Sequence, residues 1–242
     1  MPAAPSGPTR HGCVAARFAL TVPRMDTGGF HPSIVSMLDY AGVATFAASG
    51  ALMAAEKRQD VVTFIFFAAI TGVGGGTLRD LLIGAPVFWV QDPGYSIVCA
   101  IVAVLVWLTR GRAAPGRALL WLDAAGLCVY AVVGAAKALG MGVAAPICVV
   151  MGVLTATFGG VIRDVLAAQP SVLLRREIYV SAAIVSATTF IVMMAFGVPL
   201  VWSSSVAIVA GFVVRGGAIL KGWRLPAFNP DPKRPPGEPP TS

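Results

Sequence analysis

The stretch Gly72-Val73-Gly74-Gly75-Gly76-Thr77-Leu78-Arg79-Asp80-Leu81 returns later in the chain as Ala156-Thr157-Phe158-Gly159-Gly160-Val161-Ile162-Arg163-Asp164-Val165. The offset is a constant 84 residues. It also carries Leu38-Asp39 onto Leu122-Asp123, Gly42 onto Gly126, Gly50 onto Gly134, Pro86 onto Pro170 and Tyr95 onto Tyr179. Both copies place charge and flexible backbone inside apolar sequence, where each is costly. A costly feature repeated in one register marks an internal duplication and points to function.

The chain is 57% hydrophobic and 12% charged, with a mean hydropathy of +0.80. An ordinary soluble domain is about 25% charged, so the composition is that of a membrane protein. A span takes roughly 20 mostly apolar residues. That length predicts seven spans, near 36–55, 61–83, 95–109, 121–139, 146–168, 178–196 and 201–220.

The net charge of +7 is distributed by loop. Basic residues gather at Lys57-Arg58, at Arg110, Arg112 and Arg117, at Arg175-Arg176, and at Arg215, Lys221 and Arg224, whereas the loops at 84–94, 140–145 and 197–200 have none. This alternation follows the positive-inside rule and argues against a nucleic-acid partner. It predicts an external N-terminus and a cytoplasmic C-terminus. Arg10, Arg17 and Arg24 break the rule, and Met25 is the expected start of translation, with 1–24 an extension or a disordered tail. The proline-rich end, 223–242, is expected to be disordered.

The resulting fold class is all-α membrane protein: an inverted three-plus-three repeat with one extra C-terminal helix. Its divisions are an N-terminal tail (1–33), a first three-helix repeat (34–109), a basic cytoplasmic linker (110–120), a second repeat (121–196) and a seventh span (197–222). Because three is odd, the second copy starts from the opposite membrane face, so a pseudo-two-fold axis lies in the membrane plane. Trp202 and Trp223 flank the seventh span as interfacial anchors.

This geometry puts Arg79 and Asp80 near the outer face, and Arg163 and Asp164 near the inner one. Neighbours at i and i+1 on a helix point different ways, so Arg79 is not expected simply to neutralise Asp80. Asp39 and Asp123 open the first and fourth spans at the matching depths. Ion pairs Asp39–Arg79 and Asp123–Arg163 are therefore expected. Lys137, near the outer end of the fourth span, reads chiefly as a side chain snorkelling to the interface, and otherwise as part of a pathway mouth.

Gly72, Gly75, Gly76 and Arg79 share one helical stripe, as do Ala156, Gly159, Gly160 and Arg163. Such a stripe allows close helix packing. It also allows a helix break that turns freed backbone groups toward a polar pathway. Three consecutive glycines, Gly74 to Gly76, cost roughly 1 kcal/mol each in a helix interior. With Thr71, Thr77 and Thr155 near enough to bind released groups, a break in span two and a milder one in span five are expected. Carbonyl lining suits a cation, whereas the arginines suit one only as gates or when neutralised by aspartates.

Cys13, Cys99, Cys128 and Cys148 are scattered, and His11 and His31 lie in the tail, so no disulfide, metal or cofactor site is expected. The predicted spans hold no histidine and no paired acids at one depth, which gives an enzyme little support.

The duplicated GGGTLRD and GGVIRD segments, in two three-helix halves plus a seventh helix, resemble the prokaryotic trimeric intracellular cation (TRIC) channel family, also named glycine transporter, over Ser36 to Gly222. The resemblance implies a homotrimer among membrane lipids. Each protomer's pore is lined by kinked helices two and five and passes monovalent cations, potassium or sodium. Carried onto this chain, the kinks fall at Gly74, Gly75 and Gly76 and at Gly159 and Gly160, with Phe158 in place of Gly74 weakening the second. The alternative is a secondary transporter of a small solute such as glycine. The acids Asp39, Asp80, Asp123 and Asp164 all sit near span ends, and without a mid-membrane coupling acid the channel is favoured.

Overall fold

Proline and glycine set the helix limits. A computed structural model describes residues 32–109, 115–169 and 178–223. Among them are eight helices and no strand: α1 (Pro32–Glu56), α2 (Val61–Leu82), α3 (Phe88–Gln91), α4 (Gly94–Leu108), α5 (Pro115–Gly140), α6 (Ala145–Leu166), α7 (Val180–Ala195) and α8 (Leu200–Lys221). Helices α1 and α5 begin at a proline, whose fixed φ suits a first turn and whose missing N–H is not needed there. Asp60 caps α2, its side chain accepting the Thr63 N–H at 2.8 Å.

The duplication extends to the helix ends. Helix α2 closes with Gly84 at φ 69° and the Ala85 N–H on the Asp80 carbonyl at 2.8 Å. At the same register α6 closes with Ala168 at φ 50° and the Gln169 N–H on the Asp164 carbonyl at 2.9 Å. These are left-handed helix caps, one on glycine and one on a residue that bears the strain of its Cβ.

Seven of the helices fall on the seven expected spans. The one-turn α3 was not expected. Among the described residues, five helices are long and apolar enough to cross a membrane. Helices α4 and α7, of 15 and 16 residues, rise about 22–24 Å and are shorter than a hydrocarbon core of about 30 Å. Residues 1–31 with Met25, residues 110–114 of the linker and 224–242 of the proline-rich end lie outside the described residues.

The two repeats, α1–α4 and α5–α7, pack into one core in which equivalent residues contact each other reciprocally. A Cβ on Gly42 would lie 2.5 Å from the Tyr130 ring, and one on Gly126 would lie 3.1 Å from the Phe46 ring. Phe46 and Tyr130, themselves equivalent, touch with ring centroids 5.2 Å apart. Reciprocal contacts of this kind are what a two-fold axis produces. The direction follows from the ends. Asp39, early in α1, lies within electrostatic reach of Lys137, late in α5, whereas Ser49, later in α1, meets Arg163, which binds Asp123, early in α5. Helices α1 and α5 are antiparallel. Helix α8 packs on α7 and α5, where Gly211 is pressed against the Ser186 hydroxyl.

Candidate functional site

Helices α2 and α6 cross at their glycines. A Cβ on Gly75 would collide with the Thr155 carbonyl oxygen, and one on Gly159 would lie 2.5 Å from the Thr71 carbonyl oxygen. The two contacts are images of one another under the 84-residue register. Only residues without a side chain let the backbones come this close. Both helices run unbroken through the crossing, so the interruption expected at Gly74–Gly76 and the milder one at Gly159–Gly160 are not present. The propensity cost of the glycines is offset by packing rather than by release of backbone groups. Two of the threonines bind their own helix instead, Thr77 Oγ1 donating to the Val73 carbonyl at 2.7 Å and Thr155 Oγ1 to that of Met151 at 2.6 Å, whereas Thr71 Oγ1 has no hydrogen-bond partner in the protein. The Tyr130 hydroxyl, from α5, donates to the Gly72 carbonyl at 2.9 Å.

A buried arginine lies beyond each side of this crossing. Arg163 is fully buried, and every guanidinium nitrogen is bonded. Its Nη1 donates to Asp123 Oδ1 at 2.7 Å and to Ser49 Oγ at 3.0 Å, while Nε and Nη2 reach Asp164 Oδ1 at 3.0 and 2.8 Å. The expected Asp123–Arg163 pair is formed. The expectation that adjacent Arg and Asp would not pair is overturned, because the long guanidinium folds back on the turn that carries the carboxylate. Tyr179 closes this end beside Asp123, with Arg215 of α8 over its ring at 5.1 Å. Arg215, counted above among cytoplasmic loop charges, is in fact buried and donates to the Ile178 carbonyl at 3.3 Å.

The first-repeat cluster differs. Arg79 Nε binds Asp80 Oδ1 at 2.8 Å, while Nη1 and Nη2 have no hydrogen-bond partner in the protein. Asp39 is within electrostatic reach of Arg79 but makes no direct ion pair with it, and its Oδ1 is also without a partner. The expected Asp39–Arg79 pair is therefore not formed. Two substitutions between the repeats account for this. The register position of Ser49, which orients Arg163, is Val133 in the second copy, and the position of Met53 is Lys137. Lys137 does not snorkel. Its Nζ binds Asp80 Oδ2 at 2.8 Å, so Asp80 is held by two cations and by the Phe88 N–H at 3.0 Å.

Phe88 and its helix α3 form a cover over this end. Phe88 is 8% exposed, packs edge-on against Tyr95 at 4.7 Å, and lies 5.6 Å from the Arg79 guanidinium and 5.8 Å from Lys137 Nζ. Trp89 Nε1 donates to Thr77 Oγ1 at 2.9 Å. Outside the helices, Asp92 accepts the Tyr40 hydroxyl at 2.6 Å and the Gly94 N–H at 2.8 Å, and these bonds hold its carboxyl below the usual carboxylate range. Tyr40 stacks on Tyr95 at 4.1 Å.

The sequence reading singled out Thr71, Thr155 and the glycines, and of its two expected ion pairs Asp123–Arg163 is formed and Asp39–Arg79 is not. It missed Ser49, Phe88, Tyr95 and Tyr179. The tyrosines had a signal, since they coincide in the repeat register. Phe88 had none, because α3 is too short to carry a periodicity.

Comparison with known proteins agrees with this geometry. A family model described as Glycine transporter matches twice, at residues 36–111 and 120–195. The chain is 37% identical to a UPF0126 membrane protein of Vibrio cholerae over 90% of its own length and 88% of the relative's. It is 39% identical to the inner membrane protein YadS of Escherichia coli, over 81% and 96%. Among solved structures, a TRIC trimeric intracellular cation channel orthologue from Rhodobacter sphaeroides superposes with a TM-score of 0.77 at 42% identity, covering 79% of this chain and all of that one. With its repeat, its fold and its relatives in agreement, the chain belongs to the glycine transporter family of membrane proteins and has the TRIC channel fold.

Proposed function

We propose that this protein is a passive, potassium-permeable channel for monovalent cations in a bacterial inner membrane. It is a homotrimer whose protomers each contain a pathway bounded by α2 and α6. The observation that carries the reading is the reciprocal crossing of these helices, with a buried arginine–carboxylate cluster on either side. At the crossing the Thr71 and Thr155 carbonyls face glycines, and no ion passes while the backbones touch. This is the closed constriction, and opening separates the two helices there. Each arginine is accompanied by two carboxylates, Arg79 by Asp80 and Asp39 and Arg163 by Asp123 and Asp164, so neither end presents a bare positive charge to a cation.

In this reading α1, α2 and α4 to α8 all cross the membrane. The repeats are inverted, with the N-terminus outside and the C-terminus cytoplasmic. The Arg79 cluster is external, the Arg163 cluster is internal, and Lys137 belongs to the external gate. The Rhodobacter sphaeroides structure to which the chain is similar is named as a trimeric intracellular cation channel orthologue, which supports both the conduction and the assembly.

Reconstitution into a planar bilayer under a potassium gradient tests this. Unitary currents reversing near the potassium equilibrium potential are expected. Saturable uptake of glycine into proteoliposomes without unitary current would replace the channel by a secondary transporter working through the same two-fold symmetry.

A further inference from the structure

We propose that Phe88 is a removable plug over the Arg79 end of the pathway, and that its withdrawal admits water to Arg79 and Asp39. The inference rests on the channel reading and names the moving part of one gate.

Phe88 is buried although its helix has only four residues. Its ring fills the space over Gly76, where a Cβ would lie 2.6 Å from Phe88 Cε1, and it covers two cations, Arg79 and Lys137. Beneath the cover, Arg79 Nη1, Arg79 Nη2 and Asp39 Oδ1 are buried without hydrogen-bond partners. Polar atoms kept from both water and protein raise the free energy of the covered state. Lifting the ring returns them to water, which offsets the loss of aromatic burial.

The equivalent arginine at the opposite end has no such reserve, because Arg163 is bonded through Nε, Nη1 and Nη2. The α3 segment is fastened lightly. Its polar ties to α2 are the Phe88 N–H on Asp80 and Trp89 on Thr77. Beyond it Asp92 is tied to Tyr40 of α1. Breaking these moves the cover without unpacking a long helix.

Single-channel recording of the wild type, Phe88→Leu and Phe88→Ala tests the plug. Open probability is expected to rise about tenfold in Phe88→Ala and by less in Phe88→Leu, with unitary conductance unchanged. An unchanged open probability in Phe88→Ala overturns the proposal, and if that variant does not fold, Phe88→Leu decides in the same way. A second readout is independent of conduction. With the native cysteines replaced, Asp39→Cys is treated in proteoliposomes with a charged methanethiosulfonate, with and without Phe88→Ala. About tenfold faster modification without the ring supports the plug, and equal rates refute it. A wild type that gives no current refutes the channel reading alone, and the modification rates still judge Phe88.

Discussion

The guanidinium of Arg163 donates to the hydroxyl of Ser49 at 3.0 Å, joining the two repeats across 114 positions of the chain. Both groups are fully buried. Ser49→Ala removes one of two acceptors on Nη1 and leaves Asp123 in place. The expected cost is about 1 kcal/mol of stability, read by equilibrium denaturation in detergent. An unchanged midpoint would mean that the carboxylates of Asp123 and Asp164 position Arg163 without Ser49.

Neighbouring glycines should respond differently to a methyl group. Gly75→Ala drives a Cβ into the Thr155 carbonyl, and backbone cannot rotate away, so a loss of about 1–3 kcal/mol is expected. At Gly74 the nearest atom is the flexible Ile162 Cδ1 at 3.0 Å. Gly74→Ala should fall within about 1 kcal/mol of the wild type, because the gain in helix propensity offsets a small shift. Equal effects in thermal melts would argue against the crossing as described.

Asp80 is the anchor of the first-repeat cluster. Asp80→Asn leaves Arg79 and Lys137 facing a neutral group in a buried site and should cost about 3–5 kcal/mol. Lys137→Met places at that position the residue that the other repeat carries at Met53. Because Lys137 is 27% exposed and Asp80 keeps Arg79 and the Phe88 N–H, its loss should be smaller. The order of the two melting temperatures is the check.

Ala168 holds φ at 50°, where its counterpart is Gly84. Ala168→Gly should stabilise by about 0.5–1 kcal/mol, the cost of a Cβ in the left-handed region less the extra entropy of an unfolded glycine. A decrease in stability would show that the methyl group has a packing role.

The Tyr40–Asp92 tie is exposed and titratable. Its carboxyl pKa is depressed in the folded protein, so the contribution is complete above the ordinary carboxylate range and is lost as pH falls through it toward the folded value. Hydrogen exchange of the Gly94 amide should therefore be level from pH 5 to 8, after correction for intrinsic rate, and protection should fall below about pH 4. Protection lost near neutrality would point to another group.

The duplication made much of this architecture legible from the sequence. One register carries the positions of the helices and the Asp123–Arg163 pair. The failures occur where the copies diverge. Symmetry predicted Asp39–Arg79, but Val133 supplies no hydroxyl where Ser49 does, and Lys137 claims the carboxylate that Arg79 would otherwise hold alone. The glycine run was weighed by helix propensity, which is a local quantity. Its explanation is a contact with Thr155, 80 positions away, that no local count can register.

Phe46 and Tyr130 occupy the same place in the two halves and touch each other at the centre of the molecule. If each half were a separate chain, any change at that place would be made twice and would have to fit its own image. A fused chain is released from this obligation. Tyr130 carries a hydroxyl that Phe46 lacks, and it binds the Gly72 carbonyl once, on one side only. Joining the halves is what lets a structure with two similar ends give them different tasks.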